Sequence, residues 1–143
     1  MAISVVGAGT LATGTGDVTP GLPSGWAVGD IHHLYVSTAN EAVSTPSGWS
    51  TLTNSPESTG TAAGADGIRL TIFWRRAESG DTAPTVTDAG NHTAARILGF
   101  RGCLATGDPH DVTSGDVVSV ASDVCTFTGV TTTVTNTVLV HAN

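Results

Sequence analysis

Apolar and polar residues alternate with a dominant period of two in this chain, and no window of a dozen residues keeps the 3.6-residue period of an amphipathic helix. The clearest run is GIRLTIFWRRA, in which alternate positions hold Ile68, Leu70, Ile72 and Trp74. Successive side chains of a strand point to opposite faces, so these four residues define one face of a strand that is covered on one side. The alternation therefore predicts an all-β protein.

Further runs rich in β-branched or aromatic residues are bounded by Gly, Pro, Asn, Asp or Ser, as strands are. They lie at residues 3–7, 10–19, 30–38, 92–102, 123–130 and 136–142. The polar stretches between them are predicted loops, of which residues 54–67 form the longest, expected to be exposed and mobile. About seven to nine short strands in 143 residues predict one antiparallel β-sandwich or jelly-roll-like domain over residues 1–143, and the period does not distinguish these topologies.

The charge is sparse and acidic. Twelve acidic residues face five basic ones, all of them arginines between Arg69 and Arg101, and the net charge is -7. Nucleic acids and anionic membranes bind basic surfaces, so neither is an expected partner. The N-terminus lacks the basic region and sustained apolar run of a signal peptide, which predicts a protein made in the cytoplasm with its mature chain beginning near Met1.

Sequence signatures of catalysis do not emerge from this chain. It has no Gly-x-Ser-x-Gly elbow, and without lysine it can form neither a Ser-x-x-Lys site nor a Schiff base. The glycine-rich residues 7–16 are not followed by the lysine of a phosphate loop. The expectation is a protein that is not an enzyme and that uses no cofactor.

The five histidines are candidate metal ligands. His32 and His33 are adjacent on a predicted strand and point to opposite faces, so they cannot chelate one metal together, and we expect one to be half-buried and the other solvated. His110 lies between Asp108 and Asp111, whose oxygens suit a hard cation, but the spacing is not that of an EF-hand loop. No metal site is predicted.

Two pairs of residues leave alternatives open. Cys103 and Cys125 are either two buried thiols or a disulfide, and the disulfide requires an oxidising location. Arg75 and Arg76 point to opposite faces of one strand, so at least one lies near the core or an interface and needs an acidic or carbonyl partner. That partner is an acid of the same chain or an acidic patch on another subunit.

The last predicted strand is NTVLVHA, residues 136–142. A strand at this place can form the edge of a sheet, where its backbone is a template for another chain. Val138 and Val140 are therefore candidate interface residues, and a neighbouring chain could complete the domain there. The alternatives are a last strand that needs no partner, or a chain that is a fragment.

The tetrapeptide Pro-Ser-Gly-Trp occurs at 23–26 and again at 46–49. Trp26 and Trp49 could be stacking platforms for sugar rings in a carbohydrate-binding or adhesive module. The flanking residues of the two copies share nothing else, so a duplicated unit is not indicated. Each copy is predicted to reverse the chain and to deliver a tryptophan to the next segment, although a proline at the first central turn position would leave the glycine one residue late.

Three runs of this chain, residues 25–41, 46–56 and 69–103, resemble a family of small β-sandwich domains found in structural proteins of tailed bacteriophages. The shared outline is Gly-Asp before an apolar strand, Pro-x-Gly-Trp, Arg-Leu-x-x-Phe, Gly-Asp-x-x-Pro and Phe-Arg-Gly. The resemblance implies a non-enzymatic virion component, a capsid decoration protein or a tail or fibre module, that forms a homo-oligomer and binds viral capsid or tail proteins. It assigns no functional residue.

Overall fold

The computed structural model describes residues 2–87, 89–119 and 129–142. Within these ranges the chain forms strands and no helix, and every strand pair is antiparallel. The predicted all-β, antiparallel class is confirmed. The strands are β1 (Ser4–Ala8), β2 (Ala12–Gly14), β3 (Ile31–Thr38), β4 (Ser50–Thr51), β5 (Glu57–Thr59), β6 (Ile68–Arg76) and β7 (Thr93–Arg101).

These strands make one sheet, and its centre consists of β7, β3 and β6 in that order. β1 and β2 pair with successive parts of β7, and β4 and β5 pair with successive parts of β6. The three long strands are also those whose sequences alternate most strongly. β3 lies between β6 and β7 and pairs with both along its whole length. The described residues contain no second sheet, so the sandwich or jelly roll stays a prediction.

One face of the sheet, here called the core face, is built from residues that lie opposite one another across the three long strands. Leu34 on β3 pairs with Phe73 on β6 and with Ile97 on β7. Two loops cover these side chains and are joined by reciprocal backbone hydrogen bonds of 3.0 and 2.8 Å between Val18 and Val86. The buried cluster comprises Val18, Leu34, Val36, Trp49, Phe73, Val86, Ala95 and Ile97.

The predicted facing of β6 is wrong. Phe73 is 1% exposed, whereas Ile68, from the face that the alternation favoured, is 53% exposed. The run GIRLTIFWRRA carries apolar side chains on both faces, and Phe73 lies on the face opposite to Leu70, Ile72 and Trp74. The pairing of Phe73 with Leu34 decides which face meets the main core. That partner lies on another strand and is not visible in the local period.

The long polar stretch at 54–67 is more ordered than predicted. Its residues Glu57–Thr59 form β5, which pairs with β6 from Leu70 to Ile68. The stretch is also tied back to the sheet at Ser55, whose hydroxyl oxygen accepts a 2.8 Å hydrogen bond from the Ile72 backbone N–H. A sheet edge that offers free backbone groups can order a chain whose own strand propensity is low.

The two Pro-Ser-Gly-Trp copies form turns of the same kind, with Gly25 and Gly48 each at a φ of 76°. In the second copy the Trp49 N–H donates to the Pro46 carbonyl at 3.1 Å, so proline is the first residue of the turn and not its first central residue. This shift places the glycine at the third position, where a type II turn requires positive φ. The predicted chain reversal is therefore present, with a different register.

The predicted strand at 136–142 is not formed. Residues 129–142 contain no strand, and their contact with the rest of the chain includes Asp111, which accepts a 2.7 Å hydrogen bond from the Thr133 N–H and a further one from the Thr133 hydroxyl. The apolar side chains of this segment are exposed, with Leu139 at 78%. The predicted strand at 123–130 lies almost wholly outside the described residues.

Candidate functional site

The arginine pair predicted as a possible interface makes contacts within its own chain. The Arg75 guanidinium lies 2.7 Å from an Asp81 carboxylate oxygen and 3.6 Å from Glu78. Arg76 donates to the carbonyl oxygen of Gly107 at 3.1 Å. These contacts correspond to the intrachain alternative. A role for either residue in binding another subunit remains a prediction.

A second ion pair, between Arg101 and Asp30, was not anticipated from the sequence. Arg101 donates from Nε and Nη2 to the two carboxylate oxygens of Asp30, at 2.8 and 2.7 Å, and from Nη2 to the Gly25 carbonyl oxygen at 3.0 Å. Burial by itself would raise the pKa of Asp30, but the hydrogen bonds from Arg101 and from the Ala27 N–H outweigh it and hold the pKa below its usual value. The pair joins the Gly25 turn to the end of β7.

The cysteines separate into one described residue and one that is not. Cys103 is a half-buried free thiol at the end of β7, and its burial raises its pKa, although the charge of Arg76 acts in the opposite direction. A raised pKa disfavours the nucleophilic thiolate. Cys125 lies outside the described residues.

The histidine pair differs from expectation in one respect. His32 and His33 do point to opposite faces, but both are buried, at 0% and 8% exposure, so neither is solvated. His32 belongs to the core face, where the Trp26 ring packs edge-on against it with centroids 5.7 Å apart. His33 lies on the other face, here called the opposite face, with Tyr35, Ile72, Trp74 and Leu98.

Residues 103–113, here called the strap, cross the opposite face after β7 ends. The strap contacts β6 through the hydrogen bond between Arg76 and Gly107, and it reaches the β4–β5 loop, where the Asn54 side chain donates to the Thr113 carbonyl at 2.7 Å. Between these points His110 packs against the Trp74 ring at 5.2 Å and against the His33 ring at 5.0 Å. The strap is thus what buries His33.

Four polar side chains form a continuous hydrogen-bonded chain beneath and within the strap. The Tyr35 hydroxyl lies 3.2 Å from His33 Nδ1, and His33 Nε2 lies 2.8 Å from His110 Nε2. His110 Nδ1 in turn lies 2.6 Å from Asp108 Oδ1. Tyr35, His33, His110 and Asp108 are here called the relay. The sequence spacing of 77 residues between its two histidines explains why sequence reasoning missed it.

The donors and acceptors of the relay determine one another. An ionised Asp108 only accepts, so His110 Nδ1 carries a proton and, in neutral His110, Nε2 is an acceptor. His33 Nε2 must then donate, which leaves His33 Nδ1 to accept from the Tyr35 hydroxyl. With both rings neutral, every polar atom of the relay has a partner of the correct kind.

Burial shapes the chemistry of the relay. Burial, together with the nearby His110, lowers the pKa of His33 to about 3, and burial raises the pKa of Tyr35 to about 12. Burial alone would raise the pKa of Asp108, but its hydrogen bonds to the backbone and ring of His110 more than offset this and lower it. Near neutral pH the relay therefore holds a neutral His33, a protonated Tyr35 and an ionised Asp108.

No group of three or more His, Cys, Asp or Glu side chains that could hold a metal occurs in the part of the chain that the structure describes. The oxygens considered for a cation are engaged elsewhere, since Asp108 accepts from His110 and Asp111 accepts from Thr133.

A cleft of about 510 Å³ lies at the end of the sheet where β2, β3 and β7 meet. It is lined mostly by small and hydroxyl-bearing residues, among them Thr13, Ser37 and Thr93, and His92 is the titratable member of that lining. Neither tryptophan of the repeated turn lines it.

No helix of the described residues is long and apolar enough to cross a bilayer. Comparison of the chain with protein-family models, with curated proteins and with solved structures found no significant match.

Proposed function

We propose that this chain is a non-enzymatic structural protein of a virion, and specifically a capsid decoration protein that binds an assembled phage capsid and reinforces it. The observation that carries the proposal is the C-terminal segment at 136–142. It has the sequence of a strand, yet it pairs with no strand among the described residues. A decoration protein meets its partner only after the lattice has formed, so a segment that has strand propensity but forms no strand among the described residues suits that role.

The side chains of this segment support an interface. Val138, Leu139 and Val140 are 42%, 78% and 37% exposed, although consecutive apolar side chains are normally buried in folded proteins. If the segment adds to a sheet edge of a capsid subunit, the backbone supplies hydrogen bonds and Val138 and Val140 enter pockets on one side.

The charge distribution is compatible with such a partner. Arg75, Arg76, Arg96 and Arg101 each donate to an acceptor of their own chain. The net charge of -7 leaves acidic residues in excess, so copies in solution repel one another until a lattice brings them together. A homo-oligomer arranged by the symmetry of the capsid is the expected assembled state.

Attachment to a tail or fibre is the nearest alternative within the same class, and it uses the same segment. A carbohydrate-binding module based on two tryptophans is less well supported, because Trp49 is 8% exposed and belongs to the core cluster. Trp26 is half-buried against His32. Only one of the two rings could then meet a sugar.

The test is sedimentation of the protein with capsids, and separately with tails, of the phage or prophage whose genome carries its gene. Binding to capsids and a higher capsid melting temperature are expected. The double variant Val138→Asp with Val140→Asp should bind at least tenfold more weakly, because it places two carboxylates in an apolar contact. Val28→Asp is the matched control, since Val28 is 67% exposed and lies outside the segment.

Binding to tails alone would replace decoration by the tail alternative. Failure to bind either particle would overturn the proposal. Equal binding by the double variant and by Val28→Asp would retain a virion role but remove the C-terminal segment from it.

A further inference from the structure

We propose that the hydrogen bond between His33 and His110 holds the strap closed. When the pair takes up one proton, this bond persists, because the donors and acceptors from His110 to Tyr35 exchange roles. Uptake of a second proton by the pair opens the strap. The geometry that points to this is the head-to-head contact of the two Nε2 atoms at 2.8 Å. Only one proton can lie between two nitrogens at that distance.

The first proton can be accommodated without breaking a contact. If His110 carries protons on both nitrogens, its Nδ1–H still donates to Asp108 and its Nε2–H donates to His33 Nε2. His33 remains neutral but changes tautomer, so that its Nδ1–H now donates to the Tyr35 oxygen. The cationic His110 then lies 2.6 Å from the Asp108 carboxylate, which stabilises it.

The second proton has no such solution. With both rings cationic, two N–H groups and two positive charges would face each other across 2.8 Å in a buried site. The rings must separate, and His33 belongs to the central strand of the sheet whereas His110 belongs to the strap. Separation therefore moves the strap.

The remaining contacts of the strap are weak enough for this to occur locally. None of residues 103–113 is fully buried, and the strap has no strand pairing. Segments with few buried contacts open at a small fraction of the free energy of global unfolding. When His110 leaves, the His33 and Trp74 rings that it packs against lose that cover.

Other ionisable groups surround the pair, and most are engaged elsewhere. Arg76 donates to Gly107, Arg96 donates to Gly9, and Asp111 accepts from Thr133. On the face of the sheet that His33 occupies, the strands around the pair carry Tyr35 on β3, Arg76 on β6 and Arg96 on β7. The strap adds Cys103, Asp108 and Asp111.

The experiment is hydrogen exchange of the strap amides between pH 7 and pH 4, corrected for the intrinsic pH dependence of exchange, with the β3 and β7 amides as reference. If the open state of the strap binds one proton more than the closed state, the protection of the strap amides should fall about tenfold for each pH unit below about 6.5. The amides of the central strands should stay more protected than those of the strap. In parallel, the ¹⁵N shifts of His33 should report a change from the Nε2–H to the Nδ1–H tautomer before the strap opens.

His110→Phe is the decisive variant, because it keeps a ring against Trp74 but cannot form the nitrogen–nitrogen hydrogen bond. Its strap should be less protected at pH 7, and its His33 ¹⁵N shifts should show no tautomer change before the strap opens, because the partner nitrogen is gone. His92→Phe is the control, since His92 is exposed and lies outside the relay, and it should behave as the unmodified protein. Strap protection that follows the central strands at every pH, or a His33 tautomer change that persists in His110→Phe, would overturn the proposal.

Discussion

The two faces of the sheet hold adjacent histidines in opposite surroundings. On the core face, neither ring nitrogen of His32 has a hydrogen-bond partner among the described residues. On the opposite face, both ring nitrogens of His33 are bonded, one to Tyr35 and one to His110. Both rings are buried, and burial lowers the pKa of each. His32 is thus buried without hydrogen bonds to the described part of the chain, whereas its neighbour His33 connects the sheet to the strap.

The two faces of the sheet are covered by different kinds of contact. The core face is covered by loops through apolar contacts and the Val18–Val86 bridge, which do not depend on protonation. The opposite face is covered by the strap through a polar relay that requires a neutral His33. The core face should therefore supply most of the stability of the fold, whereas the cover of the opposite face should itself respond to acid.

The largest expected effect is on the core face. Phe73→Ala removes a ring that is 1% exposed at the centre of the buried cluster, and it should lower the free energy of unfolding by about 3–5 kcal/mol. Trp74→Ala, one residue along on the opposite face, should cost less because Trp74 is only half-buried. Urea unfolding of both variants checks the comparison, and a larger loss in Trp74→Ala would contradict it.

The next effect is the response to pH. The folded pKa of His33, about 3, lies below the usual value of about 6.5, so the unfolded chain binds a proton that the folded chain does not. Stability is then fully present above pH 6.5 and should fall by at least about 1.4 kcal/mol for each pH unit below it, since His32, whose pKa burial also lowers, adds to the slope. Urea unfolding at pH 7, 6 and 5 measures this slope. A flat profile would show that His33 is protonated as easily in the folded as in the unfolded protein.

Replacing each histidine in turn should have opposite consequences. His32→Leu removes two buried nitrogens that have no partner among the described residues, and it should raise the free energy of unfolding by about 1–2 kcal/mol at pH 7. His33→Leu leaves His110 and Tyr35 without their partner and should lower stability. Thermal unfolding of the two variants at one pH is sufficient, and the same sign for both would remove the distinction between the faces.

The smallest expected effect is at the end of the relay. Tyr35→Phe removes the hydroxyl that His33 Nδ1 contacts at 3.2 Å, and it should cost about 1 kcal/mol. Because the pKa of Tyr35 is raised to about 12, this hydroxyl stays protonated in the range studied, and the cost should be the same at pH 7 and pH 9. Tyr35→Phe measured at the two pH values tests this, and a cost that disappears at pH 9 would contradict it.

The local pattern was sufficient for the long strands and for β1 and β2, and insufficient for β4 and β5. β3, β6 and β7 alternate strongly and were predicted within one or two residues of their observed bounds. β5 was missed, since Glu57–Thr59 becomes a strand only because the edge of β6 lies beside it. Conversely, the NTVLVHA run has strand propensity but no strand beside it among the described residues, so it does not form a strand.

The candidate site was less accessible from the sequence than the fold. Asp108 and His110 lie two positions apart and are visible together in the sequence, but His33, the partner of His110, lies on a strand 77 residues away in sequence. The ion pair of Arg101 with Asp30 was missed because its two residues lie 71 positions apart in the sequence. Local spacing reveals sites that lie within one turn or loop, and these sites do not.

The sequence by itself determined the class of this protein, because alternation and turn residues act within a few positions of the chain. It determined the Pro-Ser-Gly-Trp turns, since glycine at positive φ is a local requirement. Only the tertiary structure decided which face of β6 became the core, which histidine gained partners, and that the strap closes over the opposite face. Each of these depends on pairing between distant segments, and the free energy of such pairing is a property of both partners and of the water that they exclude.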